Sequence, residues 1–389
     1  MATDQDAPFI VFGAPDIRSD EIDEIVESLE SGWIGTGPRV AQFEQEFAAY
    51  KSVPSNQTAA VNSCTAALHV SMVAADLQPG DEVITTAMTF CATANAIIHS
   101  GATPVIVDID PETYNIDVDL LEQRITEKMR AIVPVHFAGR PCDMDRIGAL
   151  ARKHDLIIIE DCAHAIETEW RGQPAGTFGD FGCFSFYVTK NVVTGEGGMV
   201  ISRSAEQIGK IKVLALHGMS KDAWKRFGDE GFKHYEVVTA GFKYNMMDLQ
   251  AALGIHQLRR VEENWLRRQE VWNLYQEAFA GLPVGCPAEP EADTRHAYHL
   301  YTLKIDERLC GVSRDALMSR LGEAGVGTGV HYRSLAQHRF YQEQFGWHPD
   351  EYPVSTSFGN QTITLPLGSK LGNDDVTQII EAVSAELGK

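Results

Sequence analysis

Lys190 is the residue of this chain best placed for covalent chemistry. It stands in the run Phe184-Ser-Phe-Tyr-Val-Thr-Lys-Asn-Val-Val-Thr-Gly-Glu-Gly-Gly198, shortly after an apolar, strand-like segment and just before a Gly-Glu-Gly-Gly turn. A side-chain amine held in a partly dry turn loses pKa, and an amine that is neutral part of the time can attack a carbonyl to form a Schiff base. The glycines let the backbone approach a flat ligand with no Cβ in the way. Alone, the same pattern describes a surface lysine beside a Gly-rich hairpin. Two further groups elsewhere in the chain weigh against that reading.

The first is acidic. Leu156-Ile-Ile-Ile-Glu-Asp161 is a short apolar run ending in two carboxylates, the pattern of a buried parallel strand whose carboxyl end opens onto a site. A pyridoxal phosphate (PLP) enzyme needs an Asp at such a place, because a carboxylate on the pyridine nitrogen keeps the ring protonated and makes it an electron sink. Asp161 is the better candidate, with Glu160 pointing to the opposite strand face; His164, three positions on, is placed to touch the ring or its hydroxyl. Asp161 equally suits the N-cap of a helix opening at Cys162. The second group is a phosphate anchor. Thr58-Ala-Ala-Val61 reads as a strand, and Asn62-Ser-Cys-Thr-Ala-Ala-Leu-His-Val as a helix that opens with hydroxyl residues. Free N–H groups at a helix start bind phosphate, with Thr65, the backbone of Ala66 and the Ser185 hydroxyl as the expected donors.

The elements that must position these groups alternate. Ile22, Ile25, Val26 and Leu29 recur at helical spacing after Ser19, an expected N-cap. Strand-like runs follow at 83–86, 104–107, 131–135 and 156–159, with helical stretches between several of them, and 181–185 and 199–202 bracket the lysine loop. This predicts an α/β fold: a large domain with a mostly parallel sheet flanked by helices, plus a smaller α+β C-terminal domain. One long helix is expected from about Met247 to Ala280, carrying the chain from a large domain of residues 1–255 into a small one of 256–389. Residues 299–305 and 362–367 read as strands of that small domain and 314–324 as a helix.

Trp33-Ile-Gly-Thr-Gly-Pro38, Asn62-Ser-Cys-Thr-Ala-Ala-Leu68, Glu160-Asp-Cys-Ala-His-Ala165, Ser185-Phe-Tyr-Val-Thr-Lys190 with Gly195-Glu-Gly-Gly198, and Tyr244-Asn-Met-Met-Asp-Leu-Gln-Ala-Ala-Leu253 together resemble the DegT/DnrJ/EryC1/StrS sugar aminotransferases, fold-type I PLP enzymes that act mostly on nucleotide-linked keto sugars. The resemblance runs in order from about residue 10 to the C-terminus. It implies that Lys190 carries the cofactor and shuttles the proton, that Asp161 pairs with the pyridine nitrogen, and that His164 lies near the cofactor hydroxyl. It implies that Phe90 stacks on the ring, although an aromatic after an apolar strand also suits a core. Thr65, Ala66 and Ser185 would hold the phosphate, joined by Asn245 from the neighbouring subunit of a homodimer with shared sites; Asn245 also suits the N-cap of the helix near Met246. Trp33, His331 and Tyr332 would face substrate. By the same resemblance the amino group moves from L-glutamate, leaving 2-oxoglutarate, to C-4 of a nucleotide-linked 4-keto sugar, for cell-surface glycan or secondary-metabolite biosynthesis. A non-nucleotide keto sugar, a cyclitol or a silent regulator on the same fold are the alternatives. Sugar dehydratase relatives carry histidine in place of the lysine, and Lys190 argues against them.

Composition narrows the partners. A formal net charge of −21 argues against nucleic-acid binding. Within that acidic chain, His217-Gly-Met-Ser-Lys-Asp-Ala-Trp-Lys-Arg226 is a basic loop, where Lys225 and Arg226 could meet a diphosphate and Trp224 a base, or which could be a solvated face. Seven cysteines with no Cys-x-x-Cys pair fit free thiols in a reducing cytoplasm. Residues 1–6 lack the features of a signal peptide, and no stretch is long and apolar enough to suggest a membrane span.

Overall fold

The computed structural model describes residues 9–220 and 236–388. Twelve strands are found among them: β1 Thr58–Val61, β2 Glu82–Thr86, β3 Thr103–Val107, β4 Met129–Val133, β5 Ile157–Asp161, β6 Glu169–Trp170, β7 Gln173–Pro174, β8 Phe181–Ser185, β9 Gly198–Ser202, β10 Thr294–Arg295, β11 Tyr301–Lys304 and β12 Thr362–Leu365. Seven of them build the main sheet in the order β1-β9-β8-β5-β4-β2-β3. β9 runs antiparallel to both its neighbours, whereas the β3, β2, β4, β5 and β8 pairings are all parallel. β1, antiparallel to β9, therefore points the same way as those five.

This sheet follows from its residues. A strand covered by helices on both faces has no polar side to show, so β5 is a continuous Ile-Ile-Ile run and β4 and β9 are similarly apolar. The helix Cys64–Ala74 lies inside the same core and is buried on nearly every side. Side-chain caps set the starts of other helices: Asp143 accepts the Arg146 N–H and Ser204 accepts the Gln207 N–H.

The expected long helix is two helices, Asp248–Arg259 and Val261–Phe279, joined at Arg260. The first packs on the large domain, where Gly254 comes so close to Phe43 that an added Cβ would sit 2.7 Å from the ring. The second supplies Val271, Trp272, Tyr275 and Phe279 to a separate core with β11, β12, Leu317, Leu321 and Ile379. Ile10 joins this second core, its N–H donating to the Gly325 carbonyl at 2.8 Å.

The helix Ser19–Ser31 differs from expectation in its cap. Its N-cap is Arg18, whose N–H donates to the Glu21 carboxylate at 3.0 Å, so Ser19 is already inside the helix. Its apolar stripe does not face the core: Ile22, Val26 and Leu29 are exposed, whereas Glu21 and Ser28 are buried. Glu21 is held there by Arg260 at 2.5 Å and by Gln257 Nε2 at 3.0 Å.

Candidate active site

The parallel strands deliver their carboxyl ends to one edge of the sheet, and the sequence motifs meet there. β5 ends in Asp161, buried to 4% exposure. Its Oδ2 accepts from Thr93 Oγ1 at 2.8 Å and its Oδ1 from the Ala163 N–H at 3.1 Å, so that among the described residues two of about four acceptor positions are free. Burial pushes this carboxyl up, against the pull of Thr93, Ala163 and the Lys190 charge. Residues 162–168 form turns, so Asp161 is not a helix N-cap. Glu160 points to the other face, where it accepts from Gly176, Phe178 and Gly179 N–H groups and meets His136 Nε2.

β8 leads into the lysine. The Lys190 N–H closes a turn on the Tyr187 carbonyl at 2.8 Å. The residue is only partly buried, but its amine is desolvated, and burial brings its pKa down to about 8; Cys64 and Asp161 oppose the shift. Among the described residues Nζ makes no hydrogen bond. Two of the glycines that follow serve packing inside the protein. A Cβ on Gly198 would lie 2.6 Å from the Ser63 carbonyl, and one on Gly197 would lie 2.2 Å from Thr194 Oγ1. Gly198 thus lets β9 run against the start of the Cys64–Ala74 helix.

That helix start differs in detail from expectation. Ser63 is the N-cap, and its Oγ accepts the Ala66 N–H at 3.1 Å, so the donor expected to be free is engaged. Thr65 is exposed in the first turn. Ser185 Oγ, half-buried at the end of β8, accepts the Tyr187 N–H at 3.4 Å. Phe90 follows β2 as the N-cap residue of the helix Cys91–His99 and is 57% exposed, which removes the core alternative. Its ring lies 5.9 Å from that of Tyr332.

Tyr332 reaches the same place from the C-terminal domain. Its hydroxyl lies 2.9 Å from His164 Nε2, and the Ala138 N–H donates to His164 Nδ1 at 3.2 Å. Nδ1 is therefore the acceptor, and Nε2 carries the proton toward Tyr332. Burial holds the His164 imidazole neutral, well below its usual pKa. His331 contacts Thr364 Oγ1 at 2.9 Å and is lowered to about 4, chiefly by burial. Asn245 is not the cap of the helix near it, which opens at Asp248 after Met247. It bridges to Val61 of its own chain and donates from Nδ2 to Thr36 Oγ1 at 2.7 Å, while its buried Oδ1 has no partner among the described residues. Trp33 is exposed in the neighbouring 32–37 loop. Lys225 and Arg226, with Lys221 and Trp224, lie outside the described residues.

These groups fit the two reacting ends of one flat aldehyde. A desolvated amine suits its carbonyl carbon, a dry carboxylate with free acceptor positions suits a protonated ring nitrogen, and an exposed aromatic ring stands nearby. The arrangement on this doubly covered sheet is that of a PLP-dependent aminotransferase of fold type I. The model of the DegT/DnrJ/EryC1/StrS aminotransferase family matches residues 15–384, and the chain belongs to that family. It is 48% identical over 376 residues to the spore coat polysaccharide biosynthesis protein SpsC of Bacillus subtilis, covering 96% of each chain. Among solved structures it is similar to Spr1654 of Streptococcus pneumoniae, assigned as a sugar aminotransferase and solved in its PMP form. There the TM-score is 0.90 and the identity 37%, with 97% of this chain and 98% of that one covered. PseC of Helicobacter pylori, an aminotransferase of pseudoaminic acid biosynthesis, gives 0.89 and 28%, covering 98% of this chain and 100% of its own.

Sequence reasoning missed Ser63, Thr93, Glu167, Asn191 and His299. Thr93 lies three positions after Phe90 and Ser63 precedes the chosen donors, so both had a local signal. The other three are brought together only by the fold.

Proposed function

We propose that the protein moves an amino group from L-glutamate to a keto sugar, most specifically to C-4 of a nucleotide-linked 4-keto sugar, for cell-surface glycan or secondary-metabolite biosynthesis. The observation that carries this reading is the desolvated Lys190 amine beside the buried, incompletely paired Asp161 at the carboxyl edge of the sheet. When bound, PLP supplies the electron sink and carries the nitrogen between the two substrates. In this reading Lys190 anchors the cofactor, takes the α-proton from the donor and returns a proton to the sugar carbon. Asp161 holds the proton on the ring nitrogen. Phe90 covers one ring face, and His164, neutral and steered by Tyr332, lies at the ring hydroxyl. The Thr65 hydroxyl, Ser185 and the start of the Cys64–Ala74 helix take the phosphate, for which the Ala66 N–H would exchange Ser63 Oγ.

The sugar is supported by the family and by SpsC and PseC, whose names concern polysaccharide and pseudoaminic acid biosynthesis. Trp33, His331 and Tyr332 are proposed to face it, and Lys225 and Arg226 to meet the diphosphate. The C-4 position rests on the Thr-Gly-Glu-Gly-Gly form of the lysine loop. A homodimer with shared sites is part of the proposal. The exposed Ile22, Val26 and Leu29 stripe and the Asn245 Oδ1, without a partner among the described residues, are the features a second copy would cover and satisfy. Seven free cysteines suit a reducing cytoplasm. Among the described residues no helix is long and apolar enough to cross a membrane.

The test is a screen of keto nucleotide sugars against the PLP-loaded protein after conversion by L-glutamate. Amino-sugar product from a 4-keto nucleotide substrate supports the reading. Turnover of a free keto sugar or cyclitol alone would replace it.

A further inference from the structure

The residue after the lysine is held on three sides. Asn191 Nδ2 donates to Glu167 Oε2 at 2.9 Å and to the Ala297 carbonyl at 3.1 Å. Both partners only accept, so they fix which way the amide faces and turn its Oδ1 toward His299 Nδ1, 2.9 Å away. An amide oxygen also only accepts. His299 therefore carries its proton on Nδ1, and its Nε2 keeps a free lone pair. His299 is buried, with its ring centroid 4.4 Å from that of His164, which holds the opposite tautomer. Two neutral imidazoles thus lie together, one presenting N–H to Tyr332 and the other keeping an acceptor.

The far end of this array is a buried ion pair between Glu167 and Arg268. Such pairs contribute little net stability, because desolvating the charges offsets their attraction, and one use for them is to fix geometry. The segment holding His299 is fixed on its other side as well. The Ala297 N–H donates to the Gly139 carbonyl at 2.9 Å and the His299 N–H to the Ala138 carbonyl at 3.1 Å. Ala138 is the residue whose N–H sets the His164 tautomer. One short loop therefore references His164, His299 and, through Asn191, the backbone beside Lys190.

We propose that Asn191 is a positioning residue for Lys190, anchored on the Glu167–Arg268 pair, and that it holds His299 in the Nδ1–H tautomer so that His299 Nε2 accepts a hydrogen bond on the Lys190 side of the site. The proposal rests on the reading of Lys190 as the cofactor lysine. Burial first keeps His299 neutral, and the charged and titratable groups that reach it, Lys190 and then His331, Arg268 and His296, act in the same direction. His164 feels Lys190, His299 and His331, and Lys190 itself feels Cys64 and Asp161. With protonation disfavoured, the tautomer is what the array controls.

The test compares wild type with N191A, H299N and H299Q, each loaded with PLP. The readouts are the pH midpoint of the visible absorbance and the rate at which L-glutamate changes it. H299N keeps a donor at the Nδ1 position, and so keeps the Asn191 clamp, but lacks Nε2. H299Q offers a group near the Nε2 position without the clamp. N191A is expected to slow the glutamate step roughly a hundredfold, the scale of a misplacement of about 1 Å. Loss of an acceptor disfavours the protonated nitrogen, so N191A and H299N should lower the midpoint by about half a pH unit. H299Q should leave the midpoint nearer wild type while slowing the step. Wild-type midpoints in all three variants, with only lower melting temperatures, would reduce the array to structural support and overturn the proposal alone. If N191A does not fold, H299N decides by its midpoint. A wild-type protein that shows no visible band with PLP overturns the reading of Lys190 and the proposal with it.

Discussion

Each face of the sheet at the end of β5 carries a buried carboxylate and a desolvated lysine, and the two pairs are finished differently. On one face the buried Glu160 has its acceptor positions filled by protein donors: Oε1 accepts from Phe178 and Gly179, and Oε2 from Gly176 and from His136 Nε2 at 3.1 Å. Lys51 lies on that side too, 4.8 Å over the Phe184 ring, donating to the Ile166 carbonyl at 2.9 Å. On the other face Asp161 keeps free acceptor positions and the Lys190 amine has no hydrogen-bond partner among the described residues. Burial brings both lysines down to about 8. A shifted amine therefore does not mark a catalytic group; an amine and a carboxylate left with unused valences at a strand edge do. The same contrast disposes of His136, Glu160 and Cys162, which lie close enough to suggest a metal. Glu160 has no lone pair to spare, and His136 Nδ1 already accepts the Cys142 N–H.

The comparison is broken most directly by exchanging the lysines. Lys190→Ala should cut turnover by about two to four powers of ten, as the loss of a positioned base does, whereas Lys51→Met should leave kcat within about twofold. Steady-state kinetics on both variants decide it, and a large kcat loss in Lys51→Met would erase the distinction. The carboxylates come next. Glu160→Gln places an NH2 against backbone N–H donors and should cost about 1–3 kcal/mol of stability, read as a lower denaturation midpoint. Asp161→Asn should instead leave that midpoint nearly unchanged and lower kcat with the cofactor bound.

A pH measurement sharpens the contrast. The Lys190 amine loses its proton near pH 8 in the fold rather than near its usual 10.5. Its pKa is depressed, so the folded form binds fewer protons than the unfolded one between those values. The cost of burying it is present below about 8 and is relieved as pH rises beyond that. PLP capture by the cofactor-free protein should therefore rise about tenfold per pH unit below 8 and level off above it. Stopped-flow absorbance checks this, and Lys51→Met should give the same curve. The smallest effect is expected at Phe90. Phe90→Ala removes one stacking surface, worth about 0.5–1.5 kcal/mol, and should weaken PLP binding by roughly two- to twelvefold in an equilibrium titration.

Much of this was legible in the chain because it is local. Buried parallel strands are continuous apolar runs, and the motifs around Lys190 and Asp161 sit within a few residues of a strand end. What was not legible depends on partners distant in sequence. Asn191 meets Glu167 across 24 positions and His299 across 108, and Arg268 meets Glu167 across 101. The break at Arg260 has neither Pro nor Gly to announce it. The Ser19–Ser31 helix teaches a further limit. Its periodicity gave the helix but not the side that is buried, since an apolar stripe looks the same whether it faces its own core or a second molecule.

The most direct measurement is the visible spectrum of the PLP-loaded protein before and after L-glutamate, with Lys190→Ala beside it. The wild-type band should convert to that of the amine form of the cofactor and release one 2-oxoglutarate for each PLP bound, and the variant should do neither. A wild-type band that glutamate leaves unchanged would contradict glutamate as donor, and conversion in Lys190→Ala at the wild-type rate would contradict the assignment of the lysine.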